Sequence, residues 1–315
     1  MSLSEAVDMK TNLKFVIPFL LLFMIVAILL NYGKISNALT DVIEARPKPF
    51  IVDANEYKKN HDFLFVQNSD DYTPYSYQEL LNIFFSSINN GWDNFTLYCP
   101  KEYTSCLNDV KHISMDDILL TDVNNFTHPF NNFISFKTSY YETGEVTINI
   151  TKLYSREDII KINTRVDEIL PTIVNDEMND VEKIRAIHDY IINNAQYDVT
   201  RNTSGGSRYM SNSAIGALLQ GWAICSGYSD AMAIMISRLG IPNFKVASAT
   251  HVWNAVYVDG KWSHIDLTWD DPVSADGTQI LWHKYFMISS EDFLTLDEKN
   301  ETDHVFDKTV YLELK

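Results

Sequence analysis

The sequence predicts an α+β fold, and three observations carry that prediction. Apolar residues recur at helical spacing over 156–173 and again from Asn179 to Ile192. A buried-helix pattern, Tyr228, Met232, Met235-Ile236 and Leu239, stops at Gly240 and Pro242. Two alternating runs then flank Asp259-Gly260, a strong short hairpin signal. The chain has 315 residues, 46% hydrophobic and 21% charged, which describes a globular protein with room for two compact units or one large unit with a tail. Its formal charge of −17 argues against nucleic acid as a partner, because phosphate binding needs clustered Lys and Arg.

Residues 1–14 form a short polar tail. Phe15 to Leu30 carries no charge, and with Leu13 and Tyr32 at its ends it reaches the lower edge of the roughly 17–25 residues that span a bilayer. Lys10 and Lys14 precede it, which favours a cytoplasmic amino terminus and an exported remainder. Residues 15–32 are therefore expected to be a transmembrane anchor. The rival is a cleaved signal sequence, since Ser36-Asn37-Ala38 offers small residues at a cleavage-like spacing. Residues 33–49, ending in Arg46-Pro47-Lys48-Pro49, read as a stiff stalk.

Residues 50–155 read as an accessory region of mixed helices and strands, with no constellation that carries chemistry. Leu80, Leu81, Phe84, Phe85 and Ile88 form a helical stripe over Tyr77 to Ile88. Asn132 to Tyr141 and Glu145 to Ile150 read as strands around Thr143-Gly144. Of three cysteines, Cys99 and Cys106 stand close enough for a small disulfide loop, which leaves Cys225 unpaired.

Residues 156–315 form the expected catalytic domain. After the first helix, Asn179 and Glu182 stand three apart as in a capping box. His188 lies inside the apolar stripe that follows and reads as a packed, hydrogen-bonded histidine. Asn193 to Asn212 is polar and holds Ser204-Gly205-Gly206-Ser207, so it reads as a mobile connection or a lid. Cys225 falls at, or one turn before, the start of the next helix, where partial positive charge favours a thiolate and free N–H groups suit an oxyanion.

If Asp259-Gly260 is the hairpin turn, Val258 pairs with Lys261, His251 faces Thr268 and Trp253 faces Asp266. His251 and Asp266 are then diagonal neighbours on one face, about 7–8 Å apart at the backbone. Cys225 as nucleophile, His251 as general base and acid, and Asp266 as its orienting carboxylate would make a triad for acyl transfer. His264 shares the face of Asp266 nearer the turn and reads as structural. Asp270-Asp271-Pro272 is expected to end the strand.

These residues resemble the transglutaminase-like superfamily of cysteine enzymes, through Gly221–Asp230 around Cys225, Gly240-Ile241-Pro242, His251-Val252-Trp253-Asn254, Asp259-Gly260-Lys261-Trp262 and Asp266-Leu267-Thr268-Trp269. The resemblance spans roughly Val181 to Pro272. It implies a papain-like α+β core with the nucleophile helix packed on an antiparallel sheet, and Cys225, His251 and Asp266 as the triad. It also offers Trp222 as a site wall or part of an oxyanion pocket. Tyr285-Phe286 and Asp303-His304 resemble the tail of bacterial, membrane-tethered members.

The functional expectation is an exported, membrane-tethered cysteine peptidase or amidase that acts on a peptide or protein substrate, with cell-wall-associated ones among the candidates. Alternatives are Gln-to-amine cross-linking and an inactive binding module of the same fold. No metal, phosphate or dinucleotide motif appears, so the chemistry is expected to need no cofactor. The expected location is the cell membrane with the catalytic domain outside, or the exterior after signal cleavage.

Overall fold

Capping side chains set where the main helices begin. In the computed structural model, which describes residues 30–32, 34, 54–141, 143–201, 206–274, 278–296 and 302–315, Ser76 accepts from the N–H of Glu79 at the start of α1 (Tyr77–Asn89). Strand β1 (Asn94–Tyr98), helices α2 (Cys106–Met115) and α3 (Asp117–Asn125), and the hairpin β2 (Phe133–Tyr140) and β3 (Glu145–Lys152) follow. These strands form an antiparallel sheet in the order β1-β3-β2. Gly144, at φ 88°, turns the hairpin, and a disulfide joins Cys99 to Cys106 at the start of α2.

Among the described residues no helix is long and apolar enough to cross a membrane. The expected anchor over 15–32 has no counterpart among the described helices. Apart from Leu30 the run Phe15–Leu30 lies outside the described residues, as does nearly all of the expected stalk.

Reciprocal capping boxes open the next two helices. Ser155 and Asp158 begin α4 (Arg156–Ile173), and Asn179 and Glu182 begin α5 (Asp180–Asn194). The short strands β4 (Gln196–Tyr197) and β5 (Trp222–Ala223) pair in parallel, and a π-helical turn, Gly216–Gln220, lies between them. Helix α6 (Cys225–Arg238) starts immediately after β5 and ends at Gly240, whose φ of 75° suits a residue without a Cβ. The second sheet, β6 (Asn243–Ala247), β7 (Val252–Val258), β8 (Lys261–Ile265) and β9 (Phe286–Ile288), is antiparallel in that order. A one-turn helix, α7 (Leu267–Asp270), leaves β8, and α8 (Ser290–Leu296) follows β9.

The period of two along β7 separates two cores. Val256 and Val258 turn toward α6 and pack with Tyr228, Met232 and Ile265. Trp253 and Ala255 turn the other way and join Phe63, Phe85 and Phe126 from the first half of the chain. Phe244 on β6 anchors that second contact, 5.1 Å from the Phe126 ring and 4.6 Å from Trp262. Residues 49–315 form one compact unit. The accessory region thus backs the sheet whose other face carries α6.

A buried polar junction ties the same layers. Asp230 of α6 pairs with Lys245 of β6 at 2.8 Å and accepts from Asn132 at 2.8 Å and Tyr154 at 2.6 Å. With these partners present, a charge that would otherwise disfavour burial is compensated.

Candidate active site

Cys225 is the first residue of α6 and is half-buried, with Ile224 as an N-cap that brings no side-chain hydrogen bond. The first-turn N–H groups of the helix therefore receive no side-chain cap from Ile224. Two glycines permit this placement. A Cβ on Gly227 would sit 2.3 Å from the Ser211 carbonyl oxygen, and one on Gly216 would sit 2.4 Å from that of Trp222. Backbone therefore passes directly against the start of α6.

His251 stands at the foot of β7 on a tight turn. Ser248 donates its N–H to the His251 carbonyl at 2.9 Å, and the Ser248 hydroxyl accepts from the His251 N–H at 3.1 Å. The ring stacks on Trp253 with 5.7 Å between centroids and an interplanar angle of 18°. Its Nε2 donates to Oδ2 of Asp266 at 2.5 Å, and the Cys225 thiol lies near enough to favour the charged ring. Burial alone would lower the affinity of this imidazole for a proton. Asp266 and Cys225 outweigh burial and raise its pKa to about 10.

Asp266 reaches the ring by a different route from the one the strand arithmetic implies. The pairing runs as expected from Val258↔Lys261 to Asn254↔Ile265, and then it stops. Asp266 becomes the N-cap of α7, and its Oδ1 accepts from the N–H groups of Thr268 at 2.8 Å and Trp269 at 3.2 Å. The expected pairs His251–Thr268 and Trp253–Asp266 do not form, and the strand ends at Ile265 rather than at Asp270-Asp271-Pro272. A helix cap aims the carboxylate. Burial opposes its ionisation, but His251 and His304 outweigh it and hold the carboxyl well below the usual carboxylate range.

His304 was not reached by spacing arguments, since it lies 38 positions beyond Asp266. Its Nε2 meets the same Oδ2 at 3.0 Å, and the ring is fully buried. The one sequence signal was the soft likeness of Asp303-His304 to a family tail.

Trp222 is half-buried on β5, and the Tyr209 ring lies over it at 5.1 Å and 12°. With Tyr197, Val199, Asp271 and Gln279 it lines a cleft of about 240 Å³. Tyr197 is close enough to feel the charge of Cys225. The flanks of the polar 193–212 stretch are thus seated rather than loose: Asp198 and Ser211 are buried. Residues 202–205, at its centre, lie outside the described residues.

The other two histidines considered are held elsewhere. His264 accepts from Trp253 Nε1 at 2.9 Å and meets the Ser290 hydroxyl at 2.9 Å, and burial lowers its pKa to about 3. His188 sits between Asp189 and Asp270. Neither touches the thiol–imidazole–carboxylate series, an arrangement able to pass a proton from sulfur to ring and to stabilise the ring cation.

Comparison with known proteins gives a family match and several relatives. Residues 167–267 match the family model described as the transglutaminase-like superfamily. The kyphoscoliosis peptidases of Homo sapiens and Mus musculus are each 23% identical, over 142 and 134 residues. Those alignments cover 39% and 38% of this chain but 21% and 20% of the relatives, so the chain spans about a fifth of the length of the curated relatives it matches. A solved structure described as a TGase is 16% identical, covers 53% of this chain and 49% of that one, and gives a TM-score of 0.34. Residues 167–267, about a third of the chain, are thus similar to the core of the transglutaminase-like superfamily.

Proposed function

We propose that this protein is a cysteine hydrolase of peptide or amide bonds, with Cys225 as nucleophile, His251 as general base and acid, and Asp266 as the orienting carboxylate. The observation that carries the reading is the His251 ring, held by Asp266 Oδ2 at 2.5 Å and close enough to Cys225 for the thiol to favour its charged form. The Cys225 sulfur attacks the amide carbonyl, and the tetrahedral oxyanion is met by N–H groups at the start of α6. The C–N bond then breaks, and His251 gives its proton to the departing amine. Water attacks the thioester with His251 as base, releases the acid and restores the thiol. Trp222, beside the cleft, serves as a wall of the acyl site.

The name of the matched relatives supports a peptidase reading, and the transglutaminase-like core leaves an amine as the competing acceptor. Export is supported by the Cys99–Cys106 disulfide, since such bonds persist in oxidising compartments, and by the apolar run Phe15–Leu30. The proposed setting is the outer side of the cell membrane, with a peptide or protein of the envelope as substrate.

The test uses the full-length chain. Cys225 should react with iodoacetamide faster than free cysteine at about pH 6, and a peptide panel should be cleaved by the wild type but not by Cys225→Ala. Labelling no faster than free cysteine would remove the activated thiol. Amine incorporation into a glutamine peptide without net hydrolysis would move the assignment to transfer.

A further inference from the structure

A second cluster of ligating side chains joins α5 to the segment before β9. His188 and Asp189 are consecutive on α5, and His283 comes from the segment that leads into β9. Asp189 Oδ1 lies 2.9 Å from His188 Nδ1 and 2.6 Å from His283 Nε2. One carboxylate oxygen therefore sits between two imidazole nitrogens, and all three donor atoms fall within 4.8 Å of one another. The two rings face each other at 5.2 Å between centroids. Around a tetrahedral ion with bonds of about 2.0–2.1 Å, neighbouring donors stand roughly 3.3 Å apart. To admit one, Asp189 Oδ1 moves outward by roughly 0.4 Å from His188 Nδ1 and roughly 0.7 Å from His283 Nε2.

Two further features distinguish this cluster from an ordinary surface ion pair. The far nitrogen of His188, Nε2, meets Asp270 Oδ2 at 3.2 Å, and both side chains are completely buried. Asp270 is itself fixed, because its Oδ1 accepts from the Tyr285 N–H at 3.0 Å. A carboxylate behind a histidine is the arrangement that orients metal-bound imidazoles. The open side is accessible: His283 is 27% and Asp189 34% exposed, so an ion has a path in and a water has room on it. Arg185 approaches the other Asp189 oxygen only to 4.0 Å.

We propose that His188 Nδ1, Asp189 and His283 Nε2 form a binding site for a first-row divalent transition metal ion, with Asp270 as the supporting carboxylate. Two imidazoles and one carboxylate suit Zn²⁺ or its neighbours and do not suit Ca²⁺ or Mg²⁺, which select oxygen donors. The site would bind α5 to the β9 segment and, through Asp270, to α7. Asp266 begins that helix, and Asp270 donates its N–H to the Asp266 carbonyl at 3.2 Å. The ion would act as a brace behind the carboxylate and take no part in bond cleavage.

The experiment titrates metal-free full-length protein with Zn²⁺ by calorimetry and with Co²⁺ by visible absorption. Wild type and Cys225→Ala should each bind one equivalent with the d–d bands of a four-coordinate Co²⁺ centre, and Zn²⁺ should raise the Tm of both. His283→Gln and Asp189→Asn, changes at the accessible side of the cluster, should lose those bands and weaken binding by at least about tenfold, with near-ultraviolet circular dichroism unchanged. Absence of binding in the wild type overturns the proposal. So does binding that survives both His283→Gln and Asp189→Asn, or that disappears with Cys225→Ala. Because Cys225→Ala removes the proposed nucleophile, the metal result stands or falls separately from the hydrolase assignment.

Discussion

His304 and Asp266 meet at 3.0 Å, on the same carboxylate oxygen that His251 holds at 2.5 Å. The other oxygen takes two backbone N–H groups, so the Asp266 carboxylate has four donors and no freedom to turn. The His304 ring is clamped in turn, 4.2 Å from Phe293 and 4.9 Å from Trp269 between centroids. In the proposed mechanism it is a positioning residue, acting through Asp266 and His251. Replacing it with Leu removes a hydrogen bond to a charged group, worth about 1.5–3 kcal/mol. The expected outcome is a fall of about ten- to a hundredfold in kcat/KM, carried by kcat, with partial recovery in His304→Gln. An unchanged kcat in His304→Leu would exclude the role.

The pH behaviour of His251 follows from the direction of its shift. Its pKa in the folded protein, about 10, lies above the value of about 6.5 for an unperturbed histidine. The stability it contributes is therefore fully present below about pH 6.5 and is lost as pH rises through about 10. Asp266 has the opposite sense. Its depressed pKa contributes stability above the ordinary carboxylate range, and that stability is lost only in strong acid. An NMR titration should show the His251 ring still charged at pH 8, and Asp266→Asn should bring its titration back toward neutrality. A wild-type ring that titrates near 6.5 would contradict the ion-pair geometry.

Lys245 and Asp230 form a buried pair at 2.8 Å. Lys245→Met leaves the carboxylate buried with only Asn132 and Tyr154, and the expected loss is about 3–5 kcal/mol. Urea unfolding followed by tryptophan fluorescence measures it as a lower midpoint at constant slope. A loss under 1 kcal/mol would mean that the pair contributes little to the join between α6 and β6.

Gly227 faces the Ser211 carbonyl with no room for a methyl group. Gly227→Ala should push the Ser211 backbone off the start of α6, lowering stability by about 1–3 kcal/mol and slowing alkylation of Cys225. Paired measurements of Tm and labelling rate check both effects. Wild-type values for the two together would show that the close approach is not needed.

The legible parts of this chain are those in which local chemistry decides geometry. Asn179 and Glu182 announce a helix start because their side chains answer each other's backbone across one turn. Asp259 and Gly260 announce a turn because both adopt positive φ, at 52° and 79°. Cys225 at the start of α6 followed from the apolar stripe after it and the stop at Gly240. Asp266 was found near His251 by counting along strands, yet it arrives there as a helix cap, since a run of alternating residues does not show where pairing yields to capping. His304 was out of reach for another reason: no local pattern brings a side chain across 38 residues. The seated flanks of 193–212 were missed because their polar groups are buried against backbone rather than in an apolar stripe.

The junction at Asp230 also sets how the chain divides. Residues 167–267 hold Asp230 and Lys245, whereas Asn132 and Tyr154 lie outside that stretch. Phe244 would lose the aromatic cover supplied by Phe63 and Phe126, and Trp253 that of Phe293 and Phe306. Expressed by itself, the matched segment would display a greasy β-surface and an orphaned ion pair, and would go to inclusion bodies. The unit that recognises a family and the unit that folds are different lengths of this polypeptide.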